Sequence, residues 1–271
     1  MVALENLALV FVAGLVTALA TGIGALPFFL VDDFSDRWNV VLWGLASGIM
    51  VAASLFGLVQ EGLSYGDPLL IVPGLVAGVA LVIVADRVIH AADGVDHDAA
   101  TMEEAGFAKL VLILGVLTVH SFPEGVAVGV SFAELGIAAS TETIGIFGVA
   151  LPALAVFMTI AISIHNVPEG VAISIPLRSM DVGEWKMVWW AVFSSLPQPI
   201  GAVLAYAFVT QARAFLPIGF GFAAGAMIYL VLSEFIPEAL EIGADLPHRG
   251  WQDLLTGGTI GVLLMAPLAF L

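Results

Sequence analysis

His120-Ser121-Phe122-Pro123-Glu124-Gly125 and His165-Asn166-Val167-Pro168-Glu169-Gly170 write one pattern twice, each time inside a long apolar run. On a helix, residues four apart lie one turn apart on the same face, so each segment sets an imidazole beside a carboxylate. An ionised group costs about 2.5–3.5 kcal/mol in hydrocarbon on insertion scales. Two such pairs at matching depth imply a shared polar ligand. The proline cannot donate to the carbonyl four residues earlier, which strips the Val119 and Ile164 carbonyls of their normal donors. Imidazole nitrogen, carboxylate oxygen and amide or backbone oxygen together suit a borderline divalent cation. Zn²⁺ comes first, with Fe²⁺, Mn²⁺, Co²⁺ and Cd²⁺ as alternatives.

The elements that must position these groups lie in a bilayer. Hydrophobic residues make up 61% of the 271 positions and charged residues 11%, at a mean hydropathy of +1.08, which no water-soluble domain of this size shows. With roughly 20 apolar residues needed per crossing, the chain divides into about eight spans, near 5–30, 38–62, 69–90, 107–132, 149–177, 187–210, 216–241 and 252–271. The first stretch opens with Glu5 rather than basic residues and is too long for a signal peptide, so it is expected to stay in the mature protein. There are no cysteines, which excludes disulfides, thiolate metal sites and thiol switches.

Arg37, Arg87, Lys109, Arg178, Lys186 and Arg249 fall in or beside the connections after spans one, three, five and seven; only Arg213 falls on the other side. The excess of basic residues on cytoplasmic loops then places both termini outside the cytoplasm, with the longest cytoplasmic loop near 91–106. A formal charge of −16 argues against nucleic acid and anionic lipid headgroups as partners and favours attraction of cations. An acidic, lysine-poor surface suits a salt-rich medium equally well, where screening weakens steering.

A second internal similarity lies outside the histidine spans. Gly44 to Leu63 aligns without gaps on Gly221 to Leu240, matching Gly44/Gly221, Ala46/Ala223, Gly48/Gly225, Met50/Met227, Leu55/Leu232, Glu61/Glu238 and Leu63/Leu240. These are spans two and seven, which cross in opposite directions, as do spans four and five. The expected fold is therefore all-α and integral to the membrane, with eight transmembrane helices in an inverted 3+2+3 repeat. Transporters built this way hold their site at mid-membrane on proline-broken helices.

The two HxxPEG helices, the preceding loop with histidine and aspartate, and Ala226-Met227-Ile228-Tyr229 running into Ser233-Glu234-Phe235-Ile236-Pro237-Glu238-Ala239 resemble the prokaryotic branch of the ZIP divalent metal transporters. The resemblance covers essentially all of residues 1–271, read as one transmembrane transporter domain. It implies an eight-helix homodimer in the cell membrane, with termini outside, that moves Zn²⁺ and related ions toward the cytoplasm through a site between spans four and five. Carried over position by position, His120, Glu124, His165 and Glu169 match the primary metal site. Ser121, Asn166 and Glu234 match positions that form an adjacent second site. Asn is common in the family where Ser121 stands, and some members have Asp where Asn166 stands. No carboxylate then bridges two metals here.

Met50 has a thioether that can reach a soft metal. In the loop, His90, Asp93, Asp96 and His97 interleave imidazoles with carboxylates and form a candidate capture site on the cytoplasmic side. Gln60, Glu61 and Asp67 read as groups at a solvated helix end. No Walker-type glycine loop occurs, so a gradient or potential drives transport. Two other readings use the same ligands. A membrane metal-dependent hydrolase would activate water with a glutamate base, but there is no HExxH motif, and a duplicated ligand pair suits an ion path better. A selective metal channel differs from a carrier only in its gates.

Overall fold

The computed structural model describes residues 4–30, 35–65, 67–93, 120–135, 143–146 and 148–266. Backbone in hydrocarbon must satisfy its own hydrogen bonds, and these apolar runs do so as helices. They are α1 (Leu4–Ile23), α2 (Asp36–Ser64), α3 (Ile71–Asp93), α4 (residues 120–131), α5 (Ala153–Ser179), α6 (Glu184–Gln211), α7 (Arg213–Ile242) and α8 (Trp251–Leu264). Among the described residues, 6 helical stretches are long and apolar enough to cross a membrane: Leu4–Phe29, α2, Pro68–Val88, Ala153–Ile175, α6 and α7. The described part of α4 and the 14 residues of α8 are shorter than that. The chain has the architecture of a multi-pass helical membrane protein.

Local chemistry sets several helix starts. The Ser35 hydroxyl caps α2 by accepting from the Trp38 amide, and the Asp67 carboxylate accepts from the Leu69 amide, with Pro68 opening the turn that leads into α3.

Four features depart from the expected uniform spans. The fifth span begins at Ala153 rather than 149, because residues 143–152 form an antiparallel hairpin of β1 (Thr143–Ile146) and β2 (Val149–Pro152). Gly148 takes the positive φ (83°) that its turn requires, and extended Pro152 ends the strand where α5 starts. The sixth span is interrupted after Ser194 and resumes at Pro197, since two prolines at 197 and 199 remove closely spaced donors. α2 and α7 widen into π-helical stretches at Ala53–Val59 and Val231–Phe235. Finally, α5 stays continuous through Pro168: the missing hydrogen bond does not break the helix, which is packed on both flanks.

Between lipid-exposed helices there is no water to expel, so association rests on close backbone approach and on polar contacts. α2 lies along α8, α3 along α7, and α1 along α5 and α6. Larger apolar side chains are turned outward instead: Val76, Leu204, Phe208, Leu232 and Leu263 are exposed, whereas Ala46, Ala223, Ala224 and Ala226 are buried. Gly48 lies on the carbonyl of Gly258, and Gly225 on that of Leu75, so a Cβ at either glycine would collide with backbone. The Arg37 guanidinium meets Asp253 at 2.8 Å and ties the start of α2 to the start of α8.

Substituting Gly48 or Gly225 with Ala is expected to destabilise the fold by at least about 1–3 kcal/mol, the range for overpacking. Gly183→Ala, where nothing lies within 4 Å of the new methyl group, is the control. Thermal unfolding followed by size-exclusion chromatography checks both; equal melting of Gly48→Ala, Gly225→Ala and Gly183→Ala would refute the packing assignment.

Candidate metal centre

α4 and α5 carry the two HxxPEG segments, and each helix is brought to close range by its glycine. Gly125 on α4 sits on the backbone of Gln198 in α6, where an added Cβ would lie 2.7 Å from the Gln198 Cα; Gly170 on α5 sits on the carbonyl of Thr21 in α1. These approaches seat α4 on α6 and α5 on α1, and side chains of α4 and α5 meet in one buried space.

Glu124, His165 and Glu169 each offer one ligand atom, and the three atoms lie within 4.8 Å of one another. His165 Nε2 is 3.2 Å from Glu124 Oε1 and 3.7 Å from Glu169 Oε1. Tetrahedral ligands around Zn²⁺ at bonds of about 2.0–2.1 Å are themselves about 3.3 Å apart, so these spacings match a set of donors gathered about one ion. Glu124 and His165 are fully buried and Glu169 nearly so (2% exposed). Phe235 stacks on the His165 ring with centroids 5.8 Å apart and excludes water from that side.

His120 takes a different partner. Its Nε2 lies 3.1 Å from Glu234 Oε1, on the π-helical stretch of α7. The structure therefore gathers Glu124, His165 and Glu169 into one cluster and pairs His120 with Glu234 beside it. Ser121, next to His120, is buried. Asn166 is fully buried; its Nδ2 donates to the Thr17 carbonyl at 2.7 Å and to Gln198 Oε1 at 3.0 Å. Met50 is buried in the main apolar core. Of the proposed cytoplasmic capture residues, His90 and Asp93 fall in the last turns of α3, and Asp96 and His97 lie outside the described residues.

Buried polar atoms ordinarily have partners, because leaving one dry and unpaired costs about 1–3 kcal/mol. Among the described residues the buried side-chain atoms without a hydrogen bond include Glu169 Oε1, Asn166 Oδ1, His120 Nδ1 and His165 Nδ1, which all belong to the HxxPEG segments. Two of these are oxygens suited to a cation, so the site has acceptor capacity that the protein itself does not use.

Gln198 is absent from the residues that the sequence pattern singles out. It is fully buried, and its Nε2 donates to Glu124 Oε2 at 2.5 Å. The available signal was a glutamine held between Pro197 and Pro199 within an apolar run. A separate polar group lies at the far end of α4: the Tyr65 hydroxyl donates to the Glu134 carboxylate beside a cavity of about 240 Å³ that Arg213 also lines. Burial, reinforced by the hydrogen bond to Glu134, raises the Tyr65 hydroxyl above its usual range and keeps it protonated.

The family model for the ZIP zinc transporters matches residues 88–269. The zinc transporter ZupT of Corynebacterium aurimucosum is 29% identical over 279 residues, covering 97% of this chain and 98% of that protein. The zinc transporter GufA of Myxococcus xanthus is 32% identical over 250 residues, 88% of each chain. An Arabidopsis thaliana protein named for zinc transport is 35% identical over 95% of this chain, which spans only 38% of that longer protein. A family match across both HxxPEG segments, joined by similarity over nearly whole bacterial relatives, leads to one assignment: the chain belongs to the ZIP zinc transporter family.

Proposed function

We propose that this protein carries divalent metal, Zn²⁺ foremost, across the cell membrane toward the cytoplasm. It is a transporter and not an enzyme. The observation that carries this reading is the convergence of Glu124, His165 and Glu169 in a fully enclosed position between α4 and α5. These three bind the ion first. His120 and Glu234, with Ser121, Asn166 and Met50 nearby in sequence or on matching spans, form a weaker neighbouring position through which the ion passes. Fe²⁺, Mn²⁺, Co²⁺ and Cd²⁺ fit the same donors. The loop with His90, Asp93, Asp96 and His97 receives the ion on the cytoplasmic side.

The architecture we infer is one domain over residues 1–271 with eight membrane helices in an inverted 3+2+3 repeat, assembled as a homodimer. Matched contacts support the repeat. The alignment of Gly44 with Gly221 carries residues 54–58 onto the π-helical Val231–Phe235, within the π-helical Ala53–Val59 of the other copy. Gly44 and Gly48 meet the carbonyls of Leu254 and Gly258, while Gly221 and Gly225 meet those of Ile71 and Leu75. In return Gly257 and Gly261 meet Val41 and Leu45, while Gly74 and Gly78 meet Ile218 and Phe222, the residues aligned with Val41 and Leu45. The contacts of Gly125 with Gln198 and of Gly170 with Thr21 extend the same correspondence to the central helices.

For the orientation, Trp38, Trp185 and Trp251 are exposed at the first turns of α2, α6 and α8, beside Arg37, Lys186 and Arg249. Interfacial aromatics next to basic residues fit the cytoplasmic face, with both termini outside. The chain lacks native cysteines, so single cysteines introduced at Gly183 and near Asp67 can be labelled in intact cells. A membrane-impermeant maleimide is expected to label Asp67→Cys and spare Gly183→Cys; the reverse pattern overturns the orientation.

Transport itself is tested in liposomes loaded with a metal-sensitive dye. His165→Ala and Glu169→Ala are expected to abolish Zn²⁺ flux while expression and insertion stay near normal, because removing a buried polar ligand does not impair insertion. Normal uptake by both variants would sink the site assignment.

Stoichiometry separates the two positions. Calorimetric titration with Cd²⁺ is expected to show one tight site per protomer and one weak one. His120→Ala and Glu234→Ala should remove the weak site and slow flux. Loss of the tight site in Glu234→Ala would mean that the primary centre is misassigned.

A further inference from the structure

The buried amides around the metal cluster form a relay whose direction is set at one end by backbone. The Thr17 carbonyl can only accept, so the Asn166 side chain must turn its nitrogen toward it, at 2.7 Å. The second N–H of that nitrogen donates to Gln198 Oε1 at 3.0 Å, so the Gln198 oxygen must face Asn166 and its nitrogen must face away. That nitrogen donates to Glu124 Oε2 at 2.5 Å. Three consequences follow from this polarity. Asn166 Oδ1 is left without a partner, as a buried acceptor. Glu124 Oε2 is occupied by protein. Glu124 Oε1 alone faces His165, 3.2 Å from its Nε2.

We propose that Gln198 is a positioning residue for metal binding: it holds Glu124 by one oxygen so that the carboxylate binds the ion through Oε1 only, and it keeps Asn166 turned with its oxygen free. This rests on the reading of Glu124 as a metal ligand. The side-chain type matters. A neutral amide supplies a donor to Glu124 and an acceptor to Asn166 without adding charge to a site whose two carboxylates already balance a divalent ion. A lysine would compete with the metal, and an apolar residue would release Glu124 Oε2 to swing onto it. The break in α6 between Ser194 and Pro197 places Gln198 at the start of the resumed helix, and the lack of a side chain on Gly125 lets α4 rest on the Gln198 backbone. The relay thereby links α1, α5, α6 and α4 at the depth of the ligands.

Outer partners of metal ligands typically contribute about 10–100-fold to affinity. The experiment is Cd²⁺ titration of purified Gln198→Met, Glu124→Ala and the double variant, with ¹¹³Cd NMR of the bound ion and melting temperatures of the metal-free proteins. Gln198→Met is expected to weaken tight-site affinity by about 10–100-fold and to shift the ¹¹³Cd resonance, which reports the ligand set; metal-free melting falls as well, because Glu124 Oε2 and one Asn166 N–H lose their partner. In the Glu124→Ala background it should cost little more, because both residues act through the same carboxylate. Unchanged affinity and resonance in Gln198→Met, or losses that simply add in the double variant, overturn the proposal. If Glu124→Ala itself binds Cd²⁺ normally, the ligand assignment fails instead. A Cd²⁺-bound structure of the wild type decides the matter even where a variant does not fold: Glu124 on the metal through both oxygens would refute the role given to Gln198.

Discussion

Two carboxylates, Glu124 and Glu169, share one imidazole in a place that water does not reach. Like charges about 4 Å apart repel by about 4 kcal/mol at the effective dielectric of a protein, and burial adds its own penalty to each. A divalent cation removes both costs at once. Buried polar groups hold this cluster in place: Gln198 donates to Glu124 and accepts from Asn166, and the Thr21 and Ser195 hydroxyls, 2.7 Å apart, join α1 to the break in α6.

Holding such a cluster demands that backbones come close. Apolar bulk cannot do this in lipid, since outward-facing Leu204 or Phe208 is as well solvated by acyl chains as by protein. Glycines do it instead. Gly125 and Gly170 follow directly after Glu124 and Glu169, so each HxxPEG segment sets a buried carboxylate and, one residue on, the surface that lets a neighbouring helix approach. Among the described residues Pro168 does not break α5, whereas α6 is interrupted just before the Pro197 and Pro199 pair that frames Gln198.

Much of the fold is legible residue by residue. Apolar runs of the right length locate the spans, because hydrocarbon leaves the backbone little choice but helix. Span limits moved where short-range chemistry outweighed hydropathy: Val149 is as apolar as its neighbours, yet it pairs with Ile146 across a turn at Gly148, and α5 waits for Ala153. The π-helical stretches in α2 and α7 were not readable, since a shift from one hydrogen-bond register to the next leaves no mark on composition. Within the site, Glu124, His165 and Glu169 stood out as charged groups in hydrocarbon, whereas Gln198 did not, being neutral and flanked by the stronger signal of two prolines.

The sequence by itself determined that this chain lives in a bilayer, that it duplicates an imidazole and a carboxylate one turn apart, and which family those segments resemble. Each of those properties is local: hydropathy acts residue by residue, and spacing on a helix follows from its pitch. Only the tertiary structure decided which histidine faces which glutamate. His120 and Glu124 share a turn of α4, yet His120 meets Glu234 and Glu124 meets His165. Partnership across helices depends on their rotation and axial offset, which glycine contacts and the π-helical turn around Glu234 set over distances that no local pattern encodes.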